Sequence, residues 1–208
     1  MKSIISIWLA ARRSARDLAR DRNGIAATEF AVIVPIVLVM FFGTVEFSSA
    51  VAVDRKVTLV ARTLSDLTSQ ALTSVSDSYL QNIFTASIAI MTPYPPTPIK
   101  AQISEVYVDS SKVAKIQWSK AATIGSAATQ ATLATSTHNA GDIVTIPAAL
   151  QVAQTYLILS EVSYLYTPTI GYVMAKAGVT LSDVAYTRPR QATCITYNNV
   201  PAASCPTP

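Results

Sequence analysis

The residues most able to do chemistry in this 208-residue chain lie in one stretch, NGIAATEFAVIVP at 23–35. A basic leader ends at Gly24, and Glu29 follows five positions later, at the mouth of an apolar run. A carboxylate in this position has two possible environments. It can lie among lipid headgroups and need no partner, or it can enter the lipid, where a lone charge is costly unless a cation pairs with it.

Other groups that could carry chemistry lack suitable partners along the chain. His138 is the only histidine and lies in a polar segment, so we expect it to be an exposed loop residue. The serines lack a G-x-S-x-G nucleophile motif, and Asp109-Ser110-Ser111 lacks the D-x-S-x-S spacing of a metal adhesion motif. No glycine-rich phosphate loop occurs. The sequence therefore predicts no catalytic centre, no metal and no cofactor, which disfavours a membrane-tethered enzyme.

The net positive charge is confined to the first 24 residues. Six basic and two acidic side chains give this leader the whole formal charge of +4, and the charges of the remainder balance. A nucleic-acid-binding protein would carry its basic groups on the folded body, so we exclude that class. Basic residues beside an apolar run instead mark the cytoplasmic end of a membrane helix. The body is therefore expected to lie outside the cytoplasm.

The segment 25–46 is predicted to span a membrane. It has no charge between Phe30 and Phe42, and as a helix it would be about 32 Å long, close to the thickness of a bilayer core. Pro35 lies inside it, removes one backbone donor and is expected to kink the helix. Glu46 ends the span and is expected to be an ordinary interfacial residue.

Beyond the span, the helix is expected to continue to about residue 72 as an amphipathic element. Apolar residues recur there at spacings of three and four, which places them on one face. These residues are Val53, Val57, Val60, Leu64, Leu67 and Ala71. A second helix is expected over 77–91, before the proline-rich loop at 93–98. Its apolar face carries Leu80, Ile83, Phe84 and Ile88.

The rest of the chain is expected to form strands. Alternating segments at 101–109 and 113–119 flank a turn and predict a hairpin. Further strands are predicted at 154–166 and 183–197. Pro189 lies in the last of these and suits an edge or a bulge. Helices followed by an antiparallel sheet indicate an α+β fold.

Two features of the strand-forming region, a segment of small residues and a set of tyrosines, have no assigned function. The segment 119–142 is rich in Ala, Thr and Ser, and we expect an exposed insertion that is partly ordered at best. Four tyrosines are expected to serve sheet packing and surface rather than ligand binding: Tyr156, Tyr164, Tyr166 and Tyr172.

Cys194 and Cys205 lie close together near the end of the chain. In an oxidising compartment they would close a small disulfide loop, and in the cytosol they would remain thiols. Because the body is predicted to lie outside the cytoplasm, we expect the disulfide.

The basic leader, Gly24, Glu29, Phe30 and the apolar helix together resemble a class III (type IV) prepilin cleavage site. The stretch is similar to the TadE-like minor pseudopilins of the tight-adherence (Tad/Flp) pilus, which typically read G-x-x-x-x-E-F/Y-A with a proline a few residues later. Here that pattern is GIAATEFAVIVP at 24–35, within a signature of about 30 residues. The pieces EVSY at 161–164 and RPR at 188–190 resemble the family more weakly.

The resemblance implies that a prepilin peptidase cuts after Gly24 and leaves Ile25 as the new N-terminus. Glu29 would then pair with the terminal amine of a neighbouring subunit, and Phe30 belongs to the same recognition motif. The implied partners are the major Flp pilin, other minor pseudopilins, the peptidase and an inner-membrane assembly platform. The implied function is a minor pilin that primes assembly or caps the tip of a pilus for surface adhesion.

This interpretation divides the chain into three parts. Residues 1–24 are a cytoplasmic leader, 25–72 a long helix and 73–208 a periplasmic α+β domain. The expected location is the bacterial inner membrane, as a single-pass protein, and then the pilus at the cell surface after processing. The alternative is a scaffold of the same apparatus that stays uncleaved and anchored in the membrane.

Overall fold

The fold combines helices near the N-terminus with an antiparallel sheet, which confirms the predicted α+β class. It was obtained as a computed structural model, which describes residues 13–17, 23–126, 128–168 and 178–198. The chain divides into two compact units, residues 1–45 and residues 46–208.

The first helix, α1, extends over Asn23–Ser69 without interruption. Within the second unit it is amphipathic, because most of the predicted apolar stripe is buried and the charged side chains Asp54, Arg55 and Arg62 are exposed. Its large apolar side chains without exposed surface are Val53, Val57, Val60 and Leu64. The helix ends at Ser69 rather than at 72 because the chain turns there, and the amides of residues 70 and 71 bond back to Leu67 and Thr68.

A short strand, β1 (Ser74–Val75), leads into the second helix, α2 (Asp77–Ile88). Ser76 caps α2, because its Oγ accepts a hydrogen bond from the Tyr79 amide at 3.3 Å. A 3-10 turn at Ala89–Met91 completes the element predicted over 77–91. All four side chains predicted for its apolar face are buried: Leu80, Ile83, Phe84 and Ile88.

Five antiparallel strands form the main sheet, in the order β4-β3-β2-β5-β6. The strands are β2 (Ile99–Val108), β3 (Ala114–Thr123), β4 (Thr132–Ala134), β5 (Thr155–Tyr166) and β6 (Val179–Thr187). The predicted hairpin is confirmed as β2 and β3. The Asp109 carboxylate shapes its turn by accepting bonds from the amides of Ser111 and Val113, both at 2.9 Å.

The two faces of the sheet are covered differently. The inner face packs against α2 and the second half of α1, and contributes side chains such as Ile103, Trp118 and Ile158. The outer face carries a smaller apolar cluster, which includes Val106 and Leu157 and is covered by the loop that contains residues 144–150. The apolar core therefore lies mainly between the helices and the sheet.

The prediction of a last strand over 183–197 was wrong. The strand is β6, which ends at Thr187, so Pro189 follows the strand rather than lying inside it. The chain then leaves the sheet because Arg190 binds the end of α1, where its amide donates to Ser69 O at 2.9 Å and its guanidinium pairs with Asp66. A two-residue strand, β7 (Thr196–Tyr197), then pairs in parallel with β1.

The prediction that 119–142 is an exposed insertion was also wrong in its main point. β3 continues to Thr123, and β4 pairs with it. Ala131 has no exposed surface, because its small side chain fits against α2. Its carbonyl accepts from Gln81 Nε2 at 2.8 Å, and its amide donates to Thr85 Oγ1 at 3.0 Å. Side chains of α2 therefore satisfy the backbone that the sequence placed in solvent.

Candidate functional site

The residues predicted for cleavage lie in the first turn of α1. Ile25 is 51% exposed, and apart from the neighbouring residues and the nearby helix backbone no described atom lies within 4 Å of the position that a Cβ on Gly24 would occupy. The described part of α1 starts at Asn23, so the peptide bond between Gly24 and Ile25 is in helical conformation. Packing within the described structure therefore does not require a glycine here.

Glu29 lies one helical turn after Ile25, and its side chain is exposed. None of the salt bridges among the described residues involves it. The Thr28 hydroxyl instead bonds to the Ile25 carbonyl at 2.8 Å. Phe30, next to Glu29, is 69% exposed. The carboxylate and the aromatic ring of the motif are thus both available to another molecule.

An uninterrupted apolar surface follows Glu29 along α1. Large side chains are exposed on every side of the helix, among them Val32, Ile33, Ile36, Val37, Leu38, Val39, Met40 and Phe41. By length and composition the helix can cross a membrane, with a mean hydropathy of 2.4 in its most apolar window, of which 0% is buried. Apolar side chains all round a helix need lipid or other helices around them.

Pro35 lies within this apolar surface, and α1 continues through it. Proline has no amide hydrogen, so it cannot donate to the carbonyl of Ala31 one turn earlier. Thr44 lies further along the same segment and donates its hydroxyl to Met40 O at 2.8 Å. The kink expected at Pro35 stays a prediction.

Glu46 was predicted to be an ordinary interfacial residue, and this was wrong. Only 4% of it is exposed, and its Oε2 accepts a hydrogen bond from the Tyr166 hydroxyl at 3.0 Å. The reason is that the end of β5 lies beside this point of α1 and encloses the carboxyl group in protein. Glu46 therefore has a structural contact that Glu29 lacks among the described residues.

The sequence did not single out Glu105, which the structure places in the core. It has no exposed surface, its Oε1 accepts from the Ile195 amide at 2.5 Å, and its Oε2 has no hydrogen-bond partner among the described residues. Burial raises its pKa to about 8, although the Ile195 amide and the Trp118 indole act in the opposite direction. The only available signal was a charged residue at an inward position of an alternating strand.

His138 is not the exposed loop residue that was expected. Its Nε2 lies 2.8 Å from Glu161 Oε2, which also accepts from Gln102 Nε2 at 2.6 Å. The hydroxyl of Thr137 donates to Gln102 Oε1 at 2.9 Å. These bonds attach the segment after β4 to the outer face of the sheet. His138 thus holds a loop in place, and no nucleophile activated by it is present among the described residues.

The remaining predicted residues are only partly described. Cys194 is buried, and Cys205 lies outside the described residues, so their disulfide stays a prediction. Tyr156, Tyr164 and Tyr166 are buried in β5, as expected for sheet packing, whereas Tyr172 lies outside the described residues. In the part of the chain that the structure describes, no three His, Cys, Asp or Glu side chains form a metal-binding group.

Comparison with known proteins identifies the helical segment alone. No curated protein and no solved structure matches the chain. The match to a family model covers residues 24–65, about a fifth of the chain, and includes the cleavage motif, the exposed apolar helix and most of the buried stripe. This segment matches the family described as TadE-like protein, which confirms the resemblance seen in the motif and supports involvement in Tad pilus systems.

Proposed function

We propose that this chain is a minor subunit of a Tad/Flp pilus, made as a membrane precursor and cut after Gly24 by a prepilin peptidase. The leader stays in the cytoplasm and the apolar part of α1 crosses the inner membrane. The second unit (residues 46–208), which contains the sheet, folds in the periplasm. After cleavage the helix leaves the lipid and packs against the helices of other subunits, including the major Flp pilin. The assembly platform of the inner membrane is the site of that transfer.

The observation that carries this proposal is the position of Glu29. It is an exposed carboxylate one turn beyond the Gly24–Ile25 bond, on a helix that exposes apolar side chains on all sides between Phe30 and Val45. A carboxylate at the centre of a bilayer costs about 3 kcal/mol, and pairing with a cation offsets much of that cost. Cleavage would create such a cation at Ile25, on this subunit and on each of its neighbours.

Cleavage also changes the balance that holds the helix in the membrane. The leader contributes the entire net charge of +4, and the side chains of the mature chain sum to a net charge of zero. Arginine side chains on the cytoplasmic side resist movement through the bilayer, so their removal allows the helix to be withdrawn. Pairing of Glu29 with the amine of another subunit would then set the register in which the apolar helices pack.

The size of the second unit favours a minor subunit. Residues 46–208 form a compact body with its own core. A major Flp pilin is far shorter and has almost no globular domain. A large body suits a position at the tip or at the start of a fibre, where fewer neighbours surround it. Among the described residues there is no catalytic arrangement that would favour an enzyme over a structural subunit.

The test is the N-terminal residue of the mature protein. Full-length chain is extracted from membranes and sheared pili of cells with and without prepilin peptidase, and its intact mass is measured. We expect a terminus at Ile25 only where the peptidase is present. An intact Met1 terminus in peptidase-positive cells would overturn the proposal.

A second candidate is an uncleaved scaffold anchored in the inner membrane. The observation that favours it is the helical conformation of the Gly24–Ile25 bond, because a protease must unwind this turn before it can cut. Glycine lowers the cost of unwinding by about 1 kcal/mol relative to alanine, which favours cleavage. The same mass measurement distinguishes the two candidates.

A further inference from the structure

The outer edge of β3 is paired at both ends and open in the middle. Residues 121–123 pair with β4, and at the other end Ile116 exchanges backbone hydrogen bonds with Asp142 and Gly141 at 2.9 and 2.8 Å. Between these points, no backbone hydrogen bond joins 117–120 to the segment 135–140 in the described structure. That segment bows away from the strand and leaves a cleft of about 590 Å³.

A bulge in β3 adds a polar group to this cleft. Trp118 lies opposite Glu105 and Ile116 lies opposite Val106, so Gln117 is an extra residue without a partner in β2. Gln117 lines the cleft, and so does Asn139. Neither side chain bonds to a described group. A carboxamide offers both donors and an acceptor, so the two can bind neighbouring hydroxyl groups.

One wall of the cleft is aromatic and carries one charge of each sign. The Tyr197 ring lies beneath Lys120 Nζ, 4.5 Å from the ring centre, and its hydroxyl bonds to Asp77. The Trp118 ring lies behind it at 6.0 Å. A phosphate or sulfate site would need an excess of cationic groups, which this wall does not have. The lining therefore suits an uncharged polar ligand.

The shape of the cleft limits the length of its ligand. An extended peptide that adds to a sheet edge needs that edge to remain open along its path. Here the edge is closed by β4 on one side and by the 141–144 segment on the other. The bond between Ser119 Oγ and Ser136 Oγ, at 2.5 Å, holds the bowed segment to the strand. A compact ligand fits these limits better than a peptide strand.

We propose that this cleft binds a neutral carbohydrate of one or two sugar rings. Gln117 and Asn139 bind its hydroxyl groups, and Tyr197 and Leu133, which also line the cleft, contact its apolar C–H groups. The volume lies within the range of small-molecule sites. This inference does not rest on the proposed function, because it concerns only residues 46–208 and requires neither cleavage nor assembly.

The test is sugar binding by the full chain, purified in a zwitterionic detergent that has no sugar headgroup. Saturation-transfer NMR and titration use glucose, galactose, N-acetylglucosamine and the β1,4-linked dimer of each. We expect saturable binding of at least one of these sugars. Gln117→Ala and Asn139→Ala should each weaken it about fivefold, the effect of one lost hydrogen bond. Asn82→Ala, an exposed asparagine on α2 outside the cleft, is the matched control and should change nothing.

Three results would overturn the proposal. The first is that none of the six sugars binds saturably. The second is binding that the Gln117 and Asn139 variants leave unchanged while their circular dichroism matches the parent. The third is that a short uncharged peptide binds in the cleft and the sugars do not. That result would assign the cleft to a partner that binds as a strand.

Discussion

The Glu105 carboxyl group accepts a hydrogen bond from the amide of Ile195, 90 positions later in the chain, at 2.5 Å. The carbonyl of Ile195 accepts from Trp118 Nε1 at 2.6 Å. Side chains of β2 and β3 therefore bind both backbone groups of one residue in the segment that leads into β7. Because Ile195 has no exposed surface, this pair of bonds attaches the C-terminal segment to the core.

Glu105→Gln should remove a pH dependence from stability. The folded pKa of Glu105 is raised from 4.5 to about 8, so between these values the folded chain keeps a proton that the unfolded chain has released. The free energy of unfolding therefore falls as pH rises through this window, by about 1.4 kcal/mol per pH unit. Glutamine keeps the acceptor for Ile195 and cannot ionise, so the variant should be the more stable protein at pH 9.

Urea unfolding of the full chain in detergent, followed by tryptophan fluorescence from pH 5 to 9, measures this effect. Glu161→Gln is the matched control, because that carboxylate is partly exposed on the outer face and lies against His138. Between pH 7 and 8 the control should keep the slope of the parent. Parallel slopes for Glu105→Gln and the parent would show that the buried carboxyl does not titrate in this window.

Tyr166→Phe should destabilise the second unit more than Tyr164→Phe does. Both tyrosines are buried in β5, and both hydroxyls donate at 3.0 Å. The acceptor of Tyr166 is the Glu46 carboxyl, whereas that of Tyr164 is the backbone carbonyl of Pro95. The Tyr166 bond is buried and the Tyr164 bond only partly so, and the loss should therefore be about 2 kcal/mol at Tyr166 and about 1 kcal/mol at Tyr164. Equal losses in urea unfolding would mean that Glu46 is held by its other contacts.

The parts of the fold that sequence could predict are those with a periodic apolar pattern. Val53, Val57, Val60 and Leu64 recur on one face, and their burial follows directly. The hairpin turn at Asp109 has a local chemical signal as well. The exposed part of α1 that follows Glu29 carries both a hydropathy signal and a motif, and the family match covers the same segment.

The errors come from contacts between residues distant in sequence. Ala131 gives no local sign that Gln81 and Thr85 will bind its backbone, so a segment of small residues resembled a solvent loop. Glu46 resembled an interfacial residue because Tyr166, 120 positions later, was not visible as its partner. No pattern in one segment encodes such pairs, and only the assembled sheet brings them together.

Cys194→Ser and Cys205→Ser should lower the free energy of unfolding by the same amount if the two residues form the predicted disulfide. A bond across a loop of this length contributes about 3 kcal/mol, and Cys194 is already buried beside the Ile195 contact. Denatured but unreduced parent protein should therefore take up no iodoacetamide, and should take up two groups after reduction. Labelling of unreduced parent protein at both positions would contradict the pairing.

Gly24→Val should block processing without affecting the described fold. There is open space where the new side chain would lie, so the packing of the helix stays intact. A branched side chain would nevertheless crowd the approach of a protease to this backbone. Gly24→Ala, which keeps a small side chain, is the matched control and should still be cut. Intact mass of the membrane fraction reports the result, and normal processing of the valine variant would count against cleavage at this bond.

Glu29→Ala should separate processing from assembly. The residue is exposed one turn beyond the cleavage bond and has no salt bridge within the described structure, so its loss should leave both the fold and the cut unchanged. It should nevertheless reduce piliation, because the terminal amine of a neighbouring subunit would enter the apolar helix bundle without its carboxylate partner. Glu29→Gln preserves the shape of the side chain and removes only its charge, so it should fail to the same extent. Electron microscopy of pili together with intact mass measures the two steps. Wild-type piliation in both variants would assign Glu29 to the membrane interface, with no role in docking.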